Sequence, residues 1–235
     1  MKKIGLFVIP IKFNNKINTY NDYIDFLVEA EKNNYTHVYI GEHLTDKRED
    51  IQSSMIFAAA LLSRTKKINA CLSVLPLPHY DIKLLVKQLE DLQKMSNGRL
   101  NIGFSQGALK SDAEFLGFDH SRRNEIFKDK LNQFFQLIEE SPILKKLPKE
   151  SFFSTLLSPL PVRSAELFNK GHSAITSNFV NKTFWKNHIG CLTNNKNILK
   201  TNSKWHICMN LMPKNDLDSE SYFFVKESLF YIYKK

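Results

Sequence analysis

The most constraining feature of this chain is a rhythm: a short apolar run followed by an amphipathic helical stretch, repeated along most of its length. Residues 3–9 read as a buried strand. Thr19 and Asp22 have the spacing of a capping box, and Tyr23, Phe26, Leu27 and Ala30 follow at helical intervals. Residues 37–40 form a second strand, and Ile51, Met55, Ala59 and Leu62 mark a second helix. Residues 68–75 read as a third strand. Asp81 then caps a helix carrying Leu85, Leu89 and Leu92, which Asn97-Gly98 stops. Leu100, Ile102 and Phe104 alternate as a fourth strand. Ile126, Phe127, Leu131, Phe134, Phe135 and Ile138 give a strongly amphipathic fourth helix whose aromatic residues belong to the core. Beyond it the pattern weakens to a fifth strand over 152–157, a short helix over 164–170 ended by Gly171, a sixth strand over 174–176, a seventh over 205–212 and a last helix from 216.

Alternating strands and helices imply a parallel sheet covered by helices. More than six such units point to a TIM (β/α) barrel rather than an open sheet. A complete eight-stranded barrel takes about 250 residues. This chain has 235, seven strands are legible, and no eighth follows. The expectation is a single α/β domain over 1–235, an incomplete barrel shortened at its C-terminus, whose open edges need covering.

Lysine and arginine exceed the acids by 33 to 24, a net charge of +9. That suits an anionic ligand, but the lysines are scattered and no nucleic-acid motif accompanies them, so no nucleic-acid partner is expected. Cys71, Cys191 and Cys208 are odd in number and lack metal-ligand spacing. They suggest a reducing compartment and no metal site. The short apolar run after Met1-Lys2-Lys3 is too brief for a signal peptide, and no run has membrane-spanning length. A soluble cytoplasmic protein is expected.

In a βα barrel the chemistry sits on the loops after the strands. Here those loops hold Gly41-Glu42-His43-Leu44-Thr45-Asp46, Leu75-Pro76-Leu77-Pro78-His79, Gly103-Phe104-Ser105-Gln106-Gly107 and Ser158 through Arg163 to Ser164. The first two bring His43 and His79 to one face. The last two offer exposed backbone, hydroxyls and a cation, groups that suit a phosphate. Taken alone, each residue has a plain alternative. From spacing alone His43 reads first as an ordinary loop histidine and His79 as a structural cap, while Glu42 also reads as a buried acid holding a neighbouring loop, Gly103 and Gly107 as turn formers, and Arg163 as a solvated helix-start residue.

Several segments occur together and in order. They are Gly41-Glu42-His43, Leu75 to His79, Gln88-Leu89-Glu90-Asp91-Leu92, Met95-Ser96-Asn97-Gly98-Arg99-Leu100, Gly103 to Gly107, and Glu114-Phe115-Leu116-Gly117-Phe118-Asp119. This set resembles the central signature of the bacterial luciferase-like, flavin-dependent monooxygenases, most specifically in Ser-Asn-Gly-Arg. The resemblance covers about residues 1–140 and is fainter beyond. It implies a (β/α)8 barrel, often a homo- or heterodimer. It also implies reduced FMN from a separate flavin reductase (a deazaflavin in one branch), and oxidation by O2 of a small substrate such as an aldehyde. By the same resemblance His43 is the acid-base residue and Glu42 its orienting acid. Ala70, Cys71, Ser105, Gln106 and Gly107 border the flavin, and Ser158, Arg163 and Ser164 hold its phosphate. Two departures stand out. Gln106 occupies a place where the family often has a basic residue, and Leu44 replaces the second histidine of luciferases proper, which argues against light emission. With the missing eighth unit, they keep open a flavin binder without turnover, or a degenerate or fragment subunit.

Overall fold

The computed structural model describes residues 5–8, 19–47, 49–147, 151–155, 173–177 and 205–208. Among the described residues, seven strands, β1 (Gly5–Val8), β2 (His37–Ile40), β3 (Asn69–Pro76), β4 (Leu100–Ser105), β5 (Phe152–Thr155), β6 (Ser173–Ser177) and β7 (Trp205–Cys208), form one sheet in chain order. Every neighbouring pair is parallel. Such an order requires a crossover after each strand. The described crossovers are α1 (Tyr20–Lys32), α2 (Ser54–Arg64), α3 (Ile82–Ser96) and, after a short α4 (Lys110–Phe115), α5 (Arg123–Glu140). The sheet curls far enough that Cα atoms of β7 come within 8 Å of β1.

The early punctuation behaves as read. Thr19 and Asp22 form a reciprocal capping box, and the Asp81 carboxylate accepts from the Leu84 N–H at the start of α3. One reading needs correction. Ile51 is not helical: it is buried in the approach to α2, which begins only after the Ser53 cap. Periodicity registers burial, and a buried loop residue one turn upstream imitates a helix position. Conversely α4 was not legible, since a six-residue helix offers too few turns for a period. The short helix over 164–170, the last helix from 216, and the outer ends of the fifth and seventh strands lie outside the described residues. Among the described residues no helix is long and apolar enough to cross a membrane.

The Ser-Asn-Gly-Arg stretch has a mechanical explanation. Asn97 (φ 53°) and Gly98 (φ 84°) take left-handed conformations that end α3 and turn the chain into β4. Arg99 thereby reaches the end of α2, where helix carbonyls lack partners. Its guanidinium donates to the carbonyls of Leu62 (2.9 Å), Thr65 (3.0 Å) and Ile68 (2.9 Å), to the Thr65 hydroxyl (3.1 Å), and back to Ser96 (2.8 Å). Glu31, at the end of α1, completes the clamp by accepting the N–H groups of Lys66, Lys67 and Ile68. Burial raises the Glu31 pKa, but those N–H groups and the Arg99 charge outweigh it and hold the carboxylate below its ordinary value. Three βα units are thus locked together at the end of the sheet where β3 and β4 begin.

Further along, Phe104 on β4, Phe134 and Phe135 on α5, and Phe152 on β5 form an aromatic cluster, with the Phe104 and Phe134 rings 4.9 Å apart. Lys130 of α5 donates to the carbonyls of Pro78 (3.0 Å) and Tyr80 (2.6 Å). That contact pins the loop after β3, and so helps to shape the opposite end of the sheet, where the strands finish.

Candidate active site

The loops after β2, β3 and β4 meet at the carboxyl ends of the strands. The β2 loop starts at Gly41, whose N–H donates to the Val8 carbonyl of β1 (3.3 Å), and closes where the His43 N–H donates to the Ile51 carbonyl (3.3 Å). Inside that loop the His43 Nδ1 and Glu49 Oε2 atoms lie 2.6 Å apart. The His43 side chain is 32% exposed and that of Glu49 11%, so the ring is reachable while its partner is sheltered. Burial lowers the His43 pKa. The hydrogen bond and charge of Glu49, with the charges of Asp112 and Asp46, more than reverse this, and the imidazole titrates above its ordinary value.

Glu42 is not the residue that orients His43. It is buried, and both its oxygens are engaged elsewhere. Oε2 accepts from the Ser54 N–H (2.8 Å) and hydroxyl (2.6 Å), and Oε1 accepts from the Tyr80 hydroxyl. Burial pushes its carboxyl up despite those donors. Glu42 therefore joins the start of α2 to the loop after β3, the loop-holding role open to it from sequence. The acid that bonds His43 is Glu49, six residues further on. Sequence reading missed it because a loop of this length has no period linking the two positions.

Asp112 was missed for a related reason. It lies on α4, buried, and its Oδ1 accepts from the Thr45 N–H (2.9 Å) and hydroxyl (2.6 Å), fastening the β2 loop to the β4 loop. His79 ends the short turn after β3. Burial, reinforced by the charges of His43 and Lys130 against the opposing Asp112, drives its pKa down to about 4, so it is neutral near pH 7. Its ring lies against Gly107. A Cβ at Gly107 would sit 3.1 Å from the His79 Nε2, and φ there is +80°, so only glycine fits without strain. Gly107 is itself buried, so the loop after β4 turns directly against the His79 ring. Ser105, which accepts from the Gly107 N–H (3.3 Å), and Gln106 are half-buried beside it.

Ala70 and Cys71 are fully buried on β3, with the Cys71 sulfur 3.5 Å from the Asn101 side-chain nitrogen. The Ser73–Val74 peptide is cis, between Leu72 and Leu75, where the β3–β4 register shifts. Ser158, Arg163 and Ser164 lie outside the described residues.

Seven parallel strands in chain order, with their following loops gathered at the strand ends, match a known architecture. The model of the luciferase-like monooxygenase family matches residues 6–162, more than half of the chain. This chain belongs to that family. Limonene 1,2-monooxygenase of Rhodococcus erythropolis is 25% identical over 123 residues, covering 52% of this chain and 32% of that enzyme. The match thus spans about a third of the enzyme's own length. Among solved structures, the oxygenating constituent of 3,6-diketocamphane monooxygenase of Pseudomonas putida, in complex with FMN, has a TM-score of 0.72 at 16% identity, covering 87% of this chain and 66% of that one. The coenzyme F420-dependent tetrahydromethanopterin reductase of Methanopyrus kandleri scores 0.63 at 12% identity, covering 88% and 65%. At such identities the likeness is one of fold, and it places this luciferase-like chain among α/β proteins of the luciferase type.

Proposed function

We propose that this luciferase-like chain binds reduced FMN where β2, β3 and β4 end, and uses it with O2 to oxidise a small organic substrate such as an aldehyde. The observation that carries the reading is a reachable imidazole, His43, held by a sheltered carboxylate where the loops after β2, β3 and β4 meet at the strand ends. In this reading the half-buried Ser105 and Gln106 of the loop after β4, with the neighbouring Gly107, border the flavin ring and offer hydrogen bonds to its polar edge. Buried Ala70 and Cys71 line the strand behind. Ser158, Arg163 and Ser164 supply the phosphate contacts in this proposal, and a separate reductase supplies the reduced cofactor. FMN is preferred to a deazaflavin by the family resemblance in the ordered motifs.

A reduced flavin, when bound, supplies the electrons that activate oxygen. The chain's own residues do the remaining work. The loops tied through Thr45–Asp112 and Lys130 hold the mouth in shape, and the apolar strand ends limit water. His43 Nε2 takes or returns the proton that the oxidation moves, a task suited to an imidazole, which gains and loses a proton more readily than other side chains under mild conditions.

A second reading, flavin binding without turnover, is favoured by Gln106, which donates a hydrogen bond but no charge. One experiment separates the two. Purified protein with a flavin reductase, NADH, FMN and a panel of long-chain aldehydes is expected to yield oxygen-dependent carboxylic acid beyond a reductase-only control. Flavin binding with no product above that control from any substrate would leave only the second reading.

A further inference from the structure

We propose that Glu49 is a positioning residue for His43, fixing the imidazole with its Nδ1 proton held inward and Nε2 left as the nitrogen for proton transfer. The inference rests on the reading of His43 as the proton-transfer group and deepens it. Its basis is the 2.6 Å contact between Nδ1 and the Glu49 carboxylate, made by a side chain only 11% exposed. In such surroundings a hydrogen bond to a carboxylate is strong. The bond one ring nitrogen makes decides which tautomer the neutral ring adopts. Because a carboxylate only accepts, Nδ1 must carry the proton, and the lone pair falls to Nε2. Among the described residues no protein group bonds Nε2.

The loop is built for this meeting. The His43 N–H to Ile51 carbonyl bond closes it, and the Glu49 N–H donates to the Asp46 carbonyl (3.0 Å), turning Glu49 back towards the ring. The other charged or titratable groups facing His43 are Glu42 and Asp46 of its own loop, Asp112 of α4, and His79 after β3. None replaces Glu49. Both Glu42 oxygens are taken by Ser54 and Tyr80, Asp112 is held by Thr45, His79 is neutral near pH 7, and the Asp46 carboxylate, within 4.8 Å of a His43 ring nitrogen and of the Glu49 carboxylate, adds to the charge that raises the His43 pKa.

The test is histidine 15N NMR across a pH titration of the whole protein, with His43→Gln assigning the signal, in parallel with the pH dependence of kcat. In the wild type, neutral His43 is expected in the Nδ1–H tautomer. Glu49→Gln keeps an acceptor but removes the charge, and should lower the His43 pKa by about one unit. Glu49→Ala should also release the ring to the Nε2–H tautomer. Both should lower kcat about tenfold or more, with KM and melting temperature little changed in Glu49→Gln. A wild-type ring in the Nε2–H tautomer, or a titration unmoved in Glu49→Gln, would overturn the proposal, and the first needs no variant to fold. A spectroscopic change with kcat unaffected would confirm Glu49 as the residue that sets His43, and would overturn the reading of His43 as the proton-transfer group.

Discussion

His43→Ala is expected to slow substrate oxidation by about 10²–10⁴-fold, the usual worth of a positioned acid-base group. Flavin affinity should stay within a few fold of the wild type. The expectation follows from where the imidazole sits. It is reachable at 32% exposure, tied on one nitrogen, and set in a loop rather than in the strand wall. The change also leaves Glu49 without its partner. The His43–Glu49 pair raises the folded-state pKa of the histidine, so its stabilisation is fully present below the ordinary histidine pKa and fades as pH rises through the raised value. The alanine variant should therefore lose more stability at mildly acidic than at alkaline pH, and urea unfolding at two pH values would reveal that difference. Loss of flavin binding with the same substitution would instead make His43 part of the binding wall.

The second large effect concerns the fold. Arg99→Ala removes five donated hydrogen bonds, four of them to main-chain carbonyls at the ends of α2 and α3 and the start of β3. Hydrogen bonds to a charged group are each worth about 1.5–3 kcal/mol, and an orphaned half-buried carbonyl costs more than the bond alone. They share one side chain and water can reach part of the site, so a total of about 3–5 kcal/mol is reasonable. For a chain of this size, each kcal/mol moves the melting temperature by about 2–4 °C, so a drop of roughly 6–20 °C is expected. Arg99→Lys should recover only a small part, because an ammonium cannot reach acceptors spread across a planar fork. Calorimetry settles it, and a shift under about 2 °C in Arg99→Ala would show that the clamp is dispensable.

These two residues differ in how far sequence alone could expose them. Arg99 stands in a local motif whose neighbours, Asn97 and Gly98, announce the turn that aims it, so that turn was legible although the role of Arg99 and its five acceptors were not. The same holds for the Thr19–Asp22 capping box and the Asp81 cap, where cause and effect lie within four residues. His43 was legible as a strand-end loop residue. Its partner was not, because the bond to Glu49 depends on the closure of a loop by the His43–Ile51 main-chain contact, which leaves no periodic trace. Glu42 misled for the same reason: adjacency in sequence suggested an orienting acid, whereas its side chain points to Ser54 and Tyr80. Asp112 and the Lys130 bonds join elements dozens of residues apart and were invisible in a one-dimensional reading. The phosphate set of Ser158, Arg163 and Ser164 stands only on the family resemblance.

The most direct measurement is an anaerobic flavin titration of the purified chain, following flavin and tryptophan fluorescence with FMN, reduced FMN and a deazaflavin in turn. A luciferase-like site at the ends of β2, β3 and β4 predicts saturable binding of reduced FMN with a low-micromolar Kd, tighter than oxidised FMN, and weaker in a Gly107→Val variant, whose side chain is strained at φ +80° and presses on the His79 ring of the loop after β3. No saturable binding of any of the three up to roughly 100 µM, a free energy weaker than about 5.5 kcal/mol, would contradict it, and the chain could not then act by itself as a flavin enzyme.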